Sequence, residues 1–148
     1  MKHVDIYTDG ACKGNPGPGG WAAILVFGSI EKELCGGELE TTNNRMELLA
    51  VVKALSALKE PCNVNVFSDS KYFVDSLKLG RVYQWRSKGW KTANGKASNV
   101  DLWEKILSLI KQHKVTPIWV KGHDGNSYNE RCDKLASGKA KEFSMSPF

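Results

Sequence analysis

The first forty residues leave this chain little freedom of connectivity. Val4, Ile6 and Thr8 alternate with Asp5, Tyr7 and Asp9 in strand periodicity, and the stretch "GACKGNPGPGG" then interrupts the run with Gly and Pro. Two further β-rich runs follow, 20–27 and 30–39, joined only at Gly28-Ser29. Strands joined by such tight turns pair antiparallel, so the chain must open as a three-stranded meander. The pattern then changes. "TTNNRMELLAVVKALSALK" sets Leu48, Val51, Val52, Leu55 and Leu58 at helical spacing and stops before Pro61. "VNVF" is a short buried strand, "SDSKYFVDSLKL" a helix stopped by Gly80, and a basic segment follows. A helix from about 99 to 113 carries Leu102, Ile106, Leu109 and Ile110 on one side; "VTPIWV" is a fifth strand and "NERCDKLASGKAKEF" a closing helix. The order βββαβααβα is a mixed α/β layout in one domain spanning 1–148. Right-handed crossovers lay the fourth and fifth strands parallel to the first, and ligands then gather beyond their carboxyl ends.

Four carboxylates fall at that edge. Asp9 closes the first strand, Asp69 closes the fourth in "VFSDS", Glu47 lies near the start of the first helix, and Asp133 near the start of the last. His123 sits just after the fifth strand, in the Gly-flanked loop "KGHDGN". Each has an ordinary alternative. Asp9 could form the turn and Asp69 could cap the next helix. Asn44 and Glu47 could make a capping box, Asp133 could face its helix dipole, and His123 could bond to loop backbone. Jointly these alternatives fare worse, because the topology brings all five to one place. Four anionic carboxylates there repel one another and raise their own pKa values unless cations intervene. Oxygen-only ligands select Mg²⁺ or Mn²⁺ over zinc, and two such ions against four acids give the charge balance of two-metal phosphodiester hydrolysis.

The charge distribution points to a polyanionic partner. The net charge is +5, yet 76–100 holds six basic residues (Lys78, Arg81, Arg86, Lys88, Lys91 and Lys96) and no acid, so the whole excess sits there. Tyr83, Trp85 and Trp90 lie among these cations, which suits a phosphate backbone; the alternative is a solvated helix anchored by its Trp side chains. The longest apolar run, Trp21 to Phe27, is too short to cross a bilayer, and a strand pattern beginning at Val4 leaves no room for a signal peptide. The cysteines Cys12, Cys35, Cys62 and Cys132 lie far apart, without zinc spacing, and read as free buried thiols of a cytoplasmic protein.

The blocks "YTDGACKGNPGPGG", "TTNNRMELLA", "SDSKY", "GWKTANGK" with "NVDLW", "VKGH" and "NERCDKLA" resemble, in the same order, the motifs of bacterial type 1 ribonuclease H. They span roughly 4–137. The resemblance implies a ribonuclease H-like fold: a five-stranded mixed sheet, second strand antiparallel, flanked by helices. It implies endonucleolytic cleavage of the RNA strand of RNA–DNA hybrids, leaving 5′-phosphate and 3′-hydroxyl ends, with two Mg²⁺ (or Mn²⁺) ions; a monomer is the default expectation. Asp9, Glu47, Asp69 and Asp133 match the family's metal-binding carboxylates, with Asp9 shared by both ions. Asp133 helps hold the ion that activates water, Glu47 and Asp69 the ion near the leaving 3′ oxygen. His123 matches the histidine that assists proton transfer and product release. Gly10 and Cys12 would offer backbone groups to the RNA, with Asn15, Asn43, Asn44 and Asn129 as further polar contacts. Thr42 and Arg45 lie near phosphate-gripping positions on the DNA side. Trp85, Lys88, Trp90 and Lys91 fall in the basic protrusion that grips the DNA strand.

Two residues depart from the close bacterial pattern. Lys71 follows "SDS" where the resemblance implies a glutamine that contacts the RNA, and as a substrate-binding residue it could still reach phosphate; Asp124 stands beside His123. The former predicts an altered substrate preference, the latter a raised histidine pKa. Competing expectations keep the fold but cut another nucleic acid, place the chain as a detached reverse-transcriptase domain, or make it a non-catalytic hybrid binder. The asparagines, the protrusion and the retained acids weigh against these in turn.

Overall fold

The computed structural model describes residues 1–122 and 127–145. The meander forms as expected: β1 (Lys2–Cys12), β2 (Gly17–Phe27) and β3 (Ile30–Thr41) pair antiparallel in succession. After α1 (Asn43–Ser56), β4 (Cys62–Ser68) returns parallel to β1, and β7 (Lys114–Trp119) parallel to β4. The resulting five-stranded sheet has the order β3-β2-β1-β4-β7. Between β4 and β7 the chain makes α2 (Lys71–Lys78), α3 (Arg81–Ser87), a small hairpin of β5 (Lys91–Thr92) and β6 (Gly95–Lys96), and α4 (Val100–Gln112). Thus the basic segment is a short helix and a hairpin rather than a featureless connection. The last helix is α5 (Ser127–Ser144). Among the described residues, no helix is long and apolar enough to cross a membrane.

Layering follows from the burial pattern. In β4, Cys62, Val64, Val66 and Ser68 are buried in strict alternation, the mark of one covered face. By contrast, the apolar run of β2 is buried from Gly19 to Leu25, because α1 covers one of its faces and α5 the other. The larger core, on the α1 side, gathers Ile6, Leu48, Val64, Val66, Phe73 and Trp103. Ala22, Ile24, Cys132 and Ala136 make a thinner core under α5. All four cysteines are free, but only Cys62 and Cys132 are buried; Cys35 is exposed, because it lies on the edge strand β3.

Trp103 links this core to the basic segment. It is fully buried, its Nε1–H donates to the Tyr72 hydroxyl at 2.8 Å, and Trp85 meets it edge-on at 6.4 Å. Trp90, only 9% exposed, belongs to the same cluster. Hence Trp90 and, in part, Trp85, both expected in a DNA-gripping protrusion, pack on the core and anchor it, while Lys88 and Lys91 stay exposed.

Candidate active site

The site begins where β1 and β4 part. Their parallel ladder ends at Tyr7↔Phe67, whereas β1 goes on pairing with β2 as far as Cys12↔Gly19. Asp9 therefore stands in a fork of the sheet, inside β1 rather than at its close, with Asp69 just past β4. Neither acid serves the ordinary role that a sequence would allow it. The Gly/Pro turn lies beyond Cys12, and Ser70 caps α2 by accepting the Phe73 N–H at 3.1 Å. Likewise the capping box at α1 does not form. Thr42, extended at φ −129°, caps the helix by accepting the Arg45 N–H at 3.1 Å, so the helix starts two residues earlier than Asn44 would set it. Glu47 is then the fifth helical residue, turned inward and 3% exposed.

Gly10 is what lets it arrive. A Cβ at Gly10 would lie 2.5 Å from the Glu47 amide nitrogen and 2.7 Å from the Met46 carbonyl carbon. Only a bare Cα allows α1 to descend onto β1 this closely. Its neighbours give helix packing as a reason for glycine here. Gly20 does the same on the opposite face, where an added Cβ would collide with the Ala136 carbonyl oxygen of α5. That contact seats α5, and with it Asp133, which lines one cleft with Asp9, Asp69 and Asn129.

Asp9, Glu47 and Asp69 each offer an oxygen, and these lie within 4.8 Å of one another. Burial pushes the Asp9 carboxyl up to about 7, helped by the neighbouring charge of Asp69 and opposed by hydrogen bonds from Glu47 and the Gly10 N–H. Burial also holds Glu47 well above the ordinary carboxylate range, with the Asp9 charge adding to it. Buried acids raised in this way are high in energy when ionised together, and a cation between them removes the conflict. The donor set fits a hard divalent ion: all oxygen, with the buried Glu47 Oε2 lacking a hydrogen-bond partner among the described residues.

The other expected residues distribute unevenly. Asn43 and Asn44 line the same cleft as the carboxylates, and Lys71 stands at its far side. Asn15 accepts the Asn43 N–H at 3.1 Å, which ties the Gly/Pro turn to the start of α1. Cys12 points its thiol at the Gly14 carbonyl, 2.8 Å away, and lines a separate groove with Ser137 and Lys141 of α5. Arg45 is already engaged: its guanidinium forks onto Asp101 at 3.0 and 2.6 Å, tying α1 to the start of α4. This pairing pulls the Asp101 carboxyl below its usual range. His123 and Asp124 lie outside the described residues; Gly122, immediately before them, lies beside Asp69, where an added Cβ would come within 3.1 Å of Oδ2. Trp119 escaped the sequence reading. It ends β7 opposite Ser68, 42% exposed, and donates its Nε1–H to the Asp69 carbonyl at 3.3 Å. A large apolar residue at the carboxyl end of a parallel strand was the signal that could have found it.

A mixed sheet with acids gathered beyond its parallel strands is the architecture of an α/β nuclease. The family model described as RNase H matches residues 1–141. The chain is 57% identical over 141 residues to the ribonuclease H of Novosphingobium aromaticivorans, covering 95% of this chain and 98% of that one. Against the ribonuclease H of Rhizobium johnstonii it is 58% identical, over 92% of this chain and 90% of the other. Among solved structures it is similar to LC9-RNase H1, a type 1 RNase H with the type 2 active-site motif, at TM-score 0.85 and 31% identity, covering 96% of this chain and 74% of that chain. LC11-RNase H1 in complex with RNA/DNA hybrid shares the fold at TM-score 0.73 and 21% identity, over 94% and 97% of the two chains. The chain belongs to the RNase H family and is, accordingly, a nuclease of the hydrolase class.

Proposed function

We propose that this protein is an endonuclease that hydrolyses the RNA strand of RNA–DNA hybrids, with two divalent cations, to 5′-phosphate and 3′-hydroxyl ends. The observation that carries the reading is the close set of Asp9, Glu47 and Asp69, two of them buried, with Asp133 on the same cleft. No binding role gains from burying mutually repelling acids, whereas metal-assisted phosphoryl chemistry requires them. Asp9, Glu47, Asp69 and Asp133 would hold Mg²⁺, which when bound neutralises the phosphate and acidifies the attacking water. The fork between β1 and β4 keeps the carboxylates in place before any substrate arrives, so little reorganisation accompanies reaction. Asn15, Asn43 and Asn44 stand on the β2 side of the cleft, where donors and acceptors can read ribose 2′-hydroxyls and so tell RNA from DNA. His123, by resemblance, would move the proton at the leaving oxygen. The exposed cations Lys88 and Lys91 extend the electrostatic footprint to a second strand.

The test is cleavage of end-labelled hybrid, RNA duplex, DNA duplex and single-stranded RNA, with Mg²⁺ and with chelator, by wild type and Asp9→Asn. Cutting restricted to the hybrid's RNA strand, abolished by chelator and by Asp9→Asn, is the expected outcome. Binding without cutting in Mg²⁺ and Mn²⁺ alike would overturn it.

A further inference from the structure

A second groove lies beside the catalytic cleft, and the metal site does not use it. It runs between the end of β1 and α5, and Ala11, Lys13, Ser137, Ala140 and Lys141 line it. Helical geometry connects it to the acids. Asp133, Ser137 and Lys141 follow one another at four-residue spacing, so they share one stripe of α5. Asp133 lines the catalytic cleft at one end of the stripe, and Lys141 lines the groove at the other. Two glycines of the sheet fix the direction of the helix. A Cβ at Gly20 in β2 would meet Ala136 and Ala140, and one at Gly37 in β3 would meet the Phe143 ring. Hence α5 leads away from the metal site over β2 toward β3, on the side of the Gly/Pro turn that carries Lys13.

The charges in this groove are available. Among the described residues Lys2, Arg45, Arg131 and Lys139 are engaged in ion pairs with acids, whereas Lys13 and Lys141 make none and are exposed. No acid lines the groove among the described residues. Its floor is low: Ala11 and Ala140 present only methyl groups, and a Cβ at Gly138 would meet nothing within 4 Å. A sugar–phosphate backbone can therefore approach closely. The cations of 76–100 are held to the core on the α1 side of the sheet, while this groove lies on the α5 side. The two basic surfaces are thus separate.

We propose that the groove binds the backbone of the RNA strand roughly two to four nucleotides from the cut, with Lys13 and Lys141 on phosphate and the Ser137 hydroxyl donating to it. This inference rests on the hybrid-cutting reading above. From Asp133 to Lys141 the helix rises about 12 Å, roughly three to four nucleotides of axial rise in one strand and fewer where the strand runs obliquely. The strand that the acids hold is the one cleaved, and by following the stripe it reaches the groove without crossing the sheet. Ammonium groups hold phosphate as point charges and read no base, so the groove contributes affinity and not sequence preference.

The experiment compares wild type, the double variant Lys13→Gln with Lys141→Gln, and Gly138→Lys in steady-state cleavage of hybrid over a salt series at fixed Mg²⁺. For the double variant we expect KM to rise roughly tenfold and kcat to stay within about twofold. The slope of log KM against log salt should become shallower by about 1.8, two phosphate contacts. Gly138→Lys places a further cation in open space and should lower KM and steepen the slope, an outcome that misfolding does not produce. Hybrids with one neutral methylphosphonate, walked along each strand, locate the contact. The difference between wild type and the double variant should shrink at RNA positions roughly two to four nucleotides from the cut, on one side only. Shrinkage at DNA positions instead, or KM and slope unchanged in all variants, overturns the inference. Equilibrium binding of labelled hybrid in the Asp9→Asn background separates the two readings. If the double variant matches its parent there in affinity and slope, only this inference falls; if the parent binds no hybrid, the hybrid reading falls with it.

Discussion

At Asp9 two demands on one side chain conflict. The carboxyl is raised from 3.8 to about 7, chiefly by burial. A group whose folded pKa exceeds its unfolded one binds protons more tightly in the native state between those values. Stability of the metal-free protein should therefore fall as pH rises through that window. Asp9→Asn removes the penalty, so urea denaturation in chelator should find it more stable than wild type by about 2–4 kcal/mol at pH 8 and little different near pH 4. Adding Mg²⁺ should narrow the gap by stabilising only the wild type. An equal or lower stability for Asp9→Asn at pH 8 would show that the acid is better solvated than its surroundings imply. Gly10 is the second such residue. Gly10→Ala would place a methyl against the backbone of α1, at a cost of about 1–3 kcal/mol. Because the strain is relieved by moving Glu47, kcat should fall by roughly a hundredfold even where the fold survives. A thermal melt and a cleavage assay on the same preparation separate the two effects.

Elements carry the argument from residue to cleft, and here the structure and the sequence differ instructively. Thr42 caps α1, so Thr42→Ala should lower stability by about 1 kcal/mol, whereas Asn44→Ala should stay within about 0.5 kcal/mol. The reverse order in chemical denaturation would restore the capping box. Both "TNNR" and "NNRMEL" satisfy the local signal for a helix start, and only the run of β3 to Thr41 decides between them. The meander, the parallel return of β4 and β7, and the convergence of Asp9, Glu47 and Asp69 were legible, because periodicity and crossover handedness suffice to place strand ends. The role of Gly10 was not legible, since helix-on-strand distance is a tertiary quantity. Nor was the fate of Trp85 and Trp90. A tryptophan among lysines looks the same in sequence whether its ring faces a nucleic acid or the core, and Trp103, a helix away, makes the difference.

On the scale of the whole molecule, charge is partitioned as the function requires. The acids of the cleft and the cations of 76–100 are separate in sequence, and Trp85 and Trp103 hold the basic segment to the same core that backs the site. Reversing two exposed cations, Lys88→Glu with Lys91→Glu, should raise KM for hybrid while sparing kcat. It should also flatten the salt dependence by about 1.8 in log–log slope if each contacts one phosphate. A fall in kcat at saturating substrate would instead place the segment in the chemistry. The scattered origin of the cluster has a further consequence, for timing. Its members come from β1, α1, the end of β4 and α5, so no contiguous fragment of the fold short of that span contains a complete set. The cleft therefore acquires all four acids only once α5 has docked on Gly20, and a proteolytic cut that frees α5 takes Asp133 away again.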